Sequence, residues 1–380
     1  MDFEWNAEQR RLFDEIEAWA RCAFTRDLVE ADRAGTFDRS GWEAMGQRSL
    51  PGLPVPCELG GAGCDALTMV GALERLGYAC PDNGLLFSLH AHLWTVVTPL
   101  LAVGTEAQKR KYLPALSSGR WIGGNAMTEP EAGSDAFALR TTARREGDEY
   151  ILNGHKSFVS NAPIADVLTV YATMDPAKGA AGVTVFLVET KTAGVSVRPV
   201  NKMGLRTSPT GEVSFSECRV PTDARLGDEG AGSFVFMRSM TWERGCILAS
   251  AVGAMRRLFE RSVRFARNRK QYGQPIGKFQ QVAARLVAMK ERLETSRLLL
   301  YRTAWLLAQN RPAYLDAALT KKHISEAWVQ CCEDALQIHG GQGYRVECGL
   351  ERELRDALGS RLYSGTNEVQ CNLIASLLGL

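Results

Sequence analysis

The chain has 380 residues, 45% of them hydrophobic and 23% charged, which fits a folded globular protein and argues against a disordered or fibrous one. Its formal net charge of +2 gives no electrostatic case for nucleic acid or an anionic membrane as a partner. The length predicts two or three domains with large cores, and no uninterrupted apolar run reaches the ~18 residues of a spanning helix, so no membrane insertion is expected. Ten cysteines are scattered without a CxxC pair or a Cys/His cluster, and the five histidines are equally dispersed. Zinc is therefore not expected, and most thiols should be buried and reduced in a cytoplasmic protein.

The chain starts "MDFEWNAEQRRLFDEI", polar and acidic, unlike a signal or transit peptide. Residues 1–119 read as helices, beginning at an Asn6 cap. A Gly/Pro-rich loop, "PGLPVPCELGGAG", follows, and then helical stretches at about 66–78, 82–103 and 105–117. His90 and His92, two apart on one helix, face different ways. From 120 to 228 the texture changes. "YILNGHKSFVS", "DVLTVYAT", "VTVFLVE" and "GEVSFSECRV" are β-branched and aromatic runs bounded by turns, and they predict a β domain. From 229 to 380 the pattern is helical again. "FVFMRSMTWERGCILASAVGAMRRLFERSVRFARNR" reads as one long helix, and "FQQVAARLVAMKERLETSRLLLYRTAWLLAQ" as another. The expected class is α+β, in the order helices, sheet, helices.

Three segments carry chemistry. In "MTWERGCIL" (240–248), Glu243 sits among apolar residues, where a carboxylate is costly unless paired, hydrogen-bonded or protonated. A structural ion pair and a functional carboxylate are both open from that run alone. Thr128, Gly133 and Ser134 lie in a polar turn that offers hydroxyls and amides, a nest for phosphate or a ring carbonyl. Gly340, Gly341 and Gly343 let backbone approach a ligand closely, though a glycine triplet alone is weak evidence.

Taken together, "MTEPEAGSD" (127–135), "NGHKSFVSN" (153–161), "RKQYGQPIGKFQ" (269–280), "QIHGGQGY" (337–344) and "RDALGSRLYSGTNEVQ" (355–370) make the chain resemble the acyl-CoA dehydrogenase family of flavoproteins over essentially its whole length. The resemblance implies an N-terminal helical domain (1–119), a middle β-barrel-like domain (120–228) and a C-terminal four-helix bundle (229–380), with FAD between the last two. Matched motif by motif, it puts Met127 and Thr128 at the flavin ring and Ser134 at the pyrophosphate, with Gly133 in the same cofactor-binding turn. Phe158 stands where the family commonly has a tryptophan beside the isoalloxazine, and Ser160 replaces a nearby threonine. Thr366 and Glu368 match positions beside the cofactor. Arg269, Gln271, Tyr272, Gln280, Gln337, Gly340 and Gly341 match contacts to the FAD of a neighbouring subunit. A homotetramer, or a homodimer, is thereby implied.

The family removes an α-proton from an acyl thioester while a β-hydride passes to flavin N5. That chemistry needs a desolvated base and donors to the thioester carbonyl. Most members carry the base as a glutamate in the loop read here as "YSGT", where this chain has Ser364. A minority, including isovaleryl-type enzymes, carry it on the helix opening the C-terminal domain. Glu243 matches that second position and Arg244 the arginine after it. The expected roles are Glu243 as base, the Ser364 amide in the carbonyl hole, and Arg244 ordering the loop around Tyr363 and Ser364. Tyr363 and Trp242 border the substrate, with Phe87, His90 and Trp94 as further pocket or core positions. The substrate is an acyl-CoA or an acyl-carrier protein, and the acceptor is an electron-transferring flavoprotein. A flavin oxidase or monooxygenase on the same fold, and a non-catalytic flavin protein, are the alternatives.

Overall fold

The computed structural model describes residues 4–380; the first three residues of the acidic start lie outside it. Helix α1 (Ala7–Ala23) begins as expected. The Asn6 side chain accepts from the Gln9 amide and Gln9 reaches back to Asn6, a reciprocal capping box. Its buried stripe is Phe13, Ile16 and Ala20, at helical spacing. Two short helices, α2 (Leu28–Ala34) and α3 (Arg39–Gly46), lead through the Gly/Pro loop to α4 (Ala66–Ala79), which Asp65 caps. Helix α5 (Asn83–His92) runs through a wide turn at Leu93–Val97 into α6 (Thr98–Val103), and α7 (Glu106–Ser117) follows behind a Thr105 capping box. The Asn83–Val103 run is long and apolar enough to cross a membrane, yet 78% of its most apolar window is buried within the protein, so it serves as a core helix.

Eight strands build the middle sheet: β1 (Gly123–Ala126), β2 (Thr142–Glu146), β3 (Glu149–Ser160), β4 (Val167–Thr173), β5 (Val183–Glu189), β6 (Val195–Pro199), β7 (Thr210–Pro221) and β8 (Arg225–Leu226). Their order is β6-β7-β3-β2-β4-β5-β8, with β1 parallel to β4. The four runs predicted as strands are β3, β4, β5 and β7. Every residue of β4 is buried, which explains its continuous apolar reading. The β3–β7 ladder slips between Lys156 and Val159, and the slip re-aims the intervening residues.

The last part contains α8 (Gly232–Cys246), α9 (Ala249–Asn268), a hairpin of β9 (Lys270–Gln271) and β10 (Gln274–Pro275), α10 (Gln280–Ala308), α11 (Tyr314–His339), α12 (Leu350–Gly359) and α13 (Asn367–Leu377). Helices α8 to α11 pack on one another as a bundle. One expectation fails here: the single helix read across 234–269 is two. The chain leaves helical geometry at Leu248 (φ −97°, ψ 13°), after the Ile247 amide has closed α8 on the Glu243 carbonyl. Apolar periodicity runs on through the break because Ile247 and Leu248 are themselves buried, at 3% and 2% exposure. Glu243 therefore occupies the last turn of a helix rather than its middle.

Helices α4 and α9 touch backbone to backbone. A Cβ at Gly253 would come within 2.0 Å of the Glu74 carbonyl, so only glycine permits the contact. The resulting core joins Phe13 and Leu73 of the first helices to Val252, Leu293 and Trp328 of the bundle. That shared core fixes α5 and α8 relative to each other, and the site lies beside them.

Candidate active site

Glu243 is 8% exposed and Arg244 9%. The loop after α12 comes back across the end of α8 and places Ser364 over the carboxylate, with its hydroxyl donating to Glu243 Oε1 at 2.6 Å. Ser364 takes φ +59°, a left-handed conformation that costs a non-glycine residue energy, and Gly365 follows at φ +81°. Three hydrogen bonds hold this turn. Arg244 Nε reaches the Ser364 carbonyl at 3.4 Å, and Gln370 Nε2 donates to the carbonyls of Ser364 (3.1 Å) and Gly365 (3.0 Å). Arg244 thus contacts the loop. The Ser364 amide donates to no protein acceptor among the described residues.

Burial pushes the Glu243 carboxyl above its usual range, opposed by the Ser364 hydroxyl and by the charges of Arg244 and Lys321. Burial likewise lowers Arg244, against the pull of Glu243. Lys321, fully buried on α11, is brought down to about 7 by burial and by Arg244, and its ammonium donates to Asn367 Oδ1 at 2.9 Å. A carboxylate that burial makes more basic, on a partly open edge, can remove a weakly acidic proton.

Two ring pairs involve the residues next to Glu243 and Ser364 in the chain. Trp242 stacks on Trp94 at 6.4 Å, bridging α8 and the end of α5, and Phe87 meets Tyr363 at 4.6 Å. His90 turns out to be a satisfied core residue. It accepts from Trp94 Nε1 at Nδ1 (2.9 Å) and faces the Ser250 hydroxyl at Nε2 (2.8 Å), while burial lowers it to about 3, so it stays neutral. His92 points elsewhere, accepting from the Gly123 amide at 3.0 Å.

The second group of residues lies on the sheet. The Thr128 carbonyl accepts from the Ser157 amide at 2.8 Å, which lays Met127 and Thr128 alongside the β3 slip that carries Phe158, with Ser160 back in register opposite Thr210. Phe158 takes φ +53° and is 68% exposed, so an aromatic face is held out at a strained backbone position. Gly133 and Ser134 are exposed, and a Cβ at Gly133 would meet nothing within 4 Å. An exposed ring beside backbone amides and an open glycine turn suits a planar group bearing phosphate. Beneath it lies a pair that the sequence reading missed: Lys156, wholly buried, reaches Glu129 Oε1 at 2.7 Å and the Met127 carbonyl at 3.1 Å. A lysine among the buried positions of a β run was the available signal.

A third group gathers at the far ends of α9 and α11, where Phe265 stacks on His339 at 4.2 Å. There the Arg269 carbonyl accepts from Ile276 N, Tyr272 at the hairpin tip is 94% exposed with φ +49°, and Gln271, Gln280, Gln337, Gly340 and Gly341 are exposed. Among the described residues, no hydrogen bond, ion pair or ring contact ties these seven to the groups around Glu243 or Phe158. Thr366 caps α13 by accepting from the Val369 amide at 3.3 Å, and Glu368 stands exposed in that helix's first turn.

Family patterns described as the N-terminal, middle and C-terminal domains of acyl-CoA dehydrogenase match residues 6–120, 124–218 and 230–379. The chain belongs to the acyl-CoA dehydrogenase family. An L-prolyl-[peptidyl-carrier protein] dehydrogenase of Pseudomonas fluorescens is 42% identical to it, with all of both chains covered. A solved structure named prolyl acyl carrier protein oxidase AnaB superimposes with a TM-score of 0.98 at 47% identity, covering 99% of this chain and all of that one. Another, PigA with FAD and proline, gives 0.97 at 39% identity over all of both chains. The protein is thus an FAD-dependent oxidoreductase that introduces a CH–CH double bond into an acyl thioester. When bound, FAD supplies the two-electron acceptor that this oxidation requires.

Proposed function

We propose that this enzyme dehydrogenates a compact aminoacyl thioester, L-prolyl in the first instance, carried on a peptidyl-carrier protein, with Glu243 as the base. The observation that carries the reading is the partly open, buried Glu243 carboxylate facing the loop where Ser364 replaces the usual glutamate. Full-length similarity to proteins named for prolyl-carrier thioesters supports the substrate class. In this reading Trp94, Trp242, Phe87 and Tyr363 would limit the acyl group to a short, flat one. The thioester acidifies the α-carbon, Glu243 takes that proton, and the free Ser364 amide donates to the thioester oxygen as enolate charge develops.

FAD would be held by Met127, Thr128, Gly133 and Ser134, with Phe158 and Ser160 along the ring and Thr366 and Glu368 nearby. The exposed group Arg269, Gln271, Tyr272, Gln280, Gln337, Gly340 and Gly341 would hold the cofactor of a neighbouring subunit, which requires a homo-oligomer and favours a tetramer. Electrons would leave through an electron-transferring flavoprotein in the cytoplasm, a compartment consistent with ten free thiols.

The test is anaerobic mixing of the flavin-loaded enzyme with L-prolyl-carrier protein, L-prolyl-CoA, short acyl-CoAs and free proline. Bleaching of the flavin by the carrier thioester well ahead of the CoA thioesters supports the reading. Equal or faster bleaching by a linear acyl-CoA overturns it. A second reading, re-oxidation by oxygen, rests on the similarity to the prolyl acyl carrier protein oxidase AnaB, and mixing the reduced enzyme with air decides it.

A further inference from the structure

We propose that the Ser364 side chain is a positioning residue for Glu243: its hydroxyl holds Oε1 so that Oε2 alone is presented to the substrate α-proton. The inference rests on Glu243 being the base, and it adds a role for a side chain that the sequence reading left idle. Three observations support it. The hydrogen bond from Ser364 Oγ to Glu243 Oε1 is 2.6 Å, in the range of short charge-assisted contacts. Among the described residues Oε2 accepts no hydrogen bond, and it is not one of the unpartnered polar atoms sealed from solvent. Ser364 is kept at φ +59° by Arg244 and Gln370, which grip its carbonyl and not its hydroxyl, so the backbone restraint leaves the hydroxyl free for the carboxylate.

The arrangement fixes two properties at once. A carboxylate on a long side chain has several rotamers, and tying one oxygen selects the orientation of the other. A donor to the ionised form also opposes the burial that raises the Glu243 carboxyl. In the reaction the α C–H bond breaks and the proton forms a new O–H bond at Oε2. The Ser364 proton stays on its own oxygen throughout. Among the described residues no other side chain donates to Glu243, so none stands in for the hydroxyl.

The test uses the flavin-loaded enzyme and two variants, Ser364→Ala and Ser364→Thr. In the pH profile of anaerobic flavin reduction by prolyl-carrier protein, Ser364→Ala should move the acidic limb upward by about one pH unit, whereas Ser364→Thr should keep the wild-type limb. A second readout needs no turnover: the infrared carboxyl band that Glu243→Gln removes should titrate at higher pH in Ser364→Ala than in the wild type. Superimposable profiles and bands for Ser364→Ala and the wild type overturn the proposal. Should Glu243→Gln reduce its flavin at the wild-type rate, the base assignment itself falls, a failure separable from an unshifted Ser364→Ala in an enzyme that still depends on Glu243.

Discussion

Lys156 Nζ lies 2.7 Å from Glu129 Oε1, and both side chains are shut off from solvent. Glu129 also accepts the amides of Arg140 (2.7 Å) and Thr141 (3.0 Å), so the pair staples β3 to the loop that carries Thr128, Gly133 and Ser134. Burial pushes the Glu129 carboxyl up, but Lys156 and the neighbouring donors bring it below its ordinary range. Burial brings Lys156 down to about 8.

Lys156→Met should therefore destabilise the protein by about 3–5 kcal/mol at neutral pH, because it leaves Glu129 buried and unpaired. The sign with pH follows from the lowered Glu129 value. In the wild type its contribution is full above the ordinary carboxylate value of ~4.3 and is lost as pH falls through the folded value. In the variant Glu129 is no longer held down, so acid relieves it. Melting temperatures should differ most at pH 7 and converge toward pH 4; a gap that widens in acid contradicts the pairing.

Phe158 offers a ring from a strained backbone position. Phe158→Ala should weaken FAD binding by roughly 5- to 10-fold, equivalent to about 1–1.4 kcal/mol of lost ring contact, while Phe158→Trp should retain it. Equilibrium titration of apoprotein with FAD measures both. Wild-type affinity in the alanine variant removes Phe158 from the cofactor site.

Arg269→Ala tests the sharing of cofactor between subunits. Arg269 has an exposed side chain with no ion-pair partner among the described residues. The variant should lose FAD on gel filtration and shift toward smaller species in light scattering, and added FAD should reverse both. A variant that keeps both its flavin and its assembly contradicts a cross-subunit site.

Glu243→Gln should raise the melting temperature. Burial raises the Glu243 carboxyl above its unfolded value, so the folded state favours the protonated form. Its stability is full below the unfolded value of ~4.3 and is lost as pH rises through the folded one. The neutral amide escapes that loss, a gain present at pH 8 that fades in acid. Equal melting temperatures at pH 8 would mean that Glu243 is not penalised by its site.

The elements that the sequence revealed were those whose burial pattern is simple. The α1 cap at Asn6 and the wholly buried β4 were both legible because local chemistry determines them. The break at Leu248 was not, since both residues there are apolar and face inward, leaving periodicity unbroken. Short strands such as β1, of sequence "GGNA", carry no strand propensity and exist through pairing with β4. At the site, the resemblance to the family named Glu243, Arg244 and Ser364. The bond between Glu243 and Ser364 joins residues 121 apart and depends on a left-handed serine, which no local pattern announces.

The base is the centre of the account, and one rate tests it most directly. In stopped-flow, anaerobic flavin reduction by prolyl-carrier protein should fall by at least ~100-fold in Glu243→Gln, with FAD still bound. Adding Ser364→Glu to that variant should restore part of the rate, since it returns a carboxylate to the family's usual loop position. Flavin reduction by Glu243→Gln at the wild-type rate would contradict the account and leave Glu243 a structural residue.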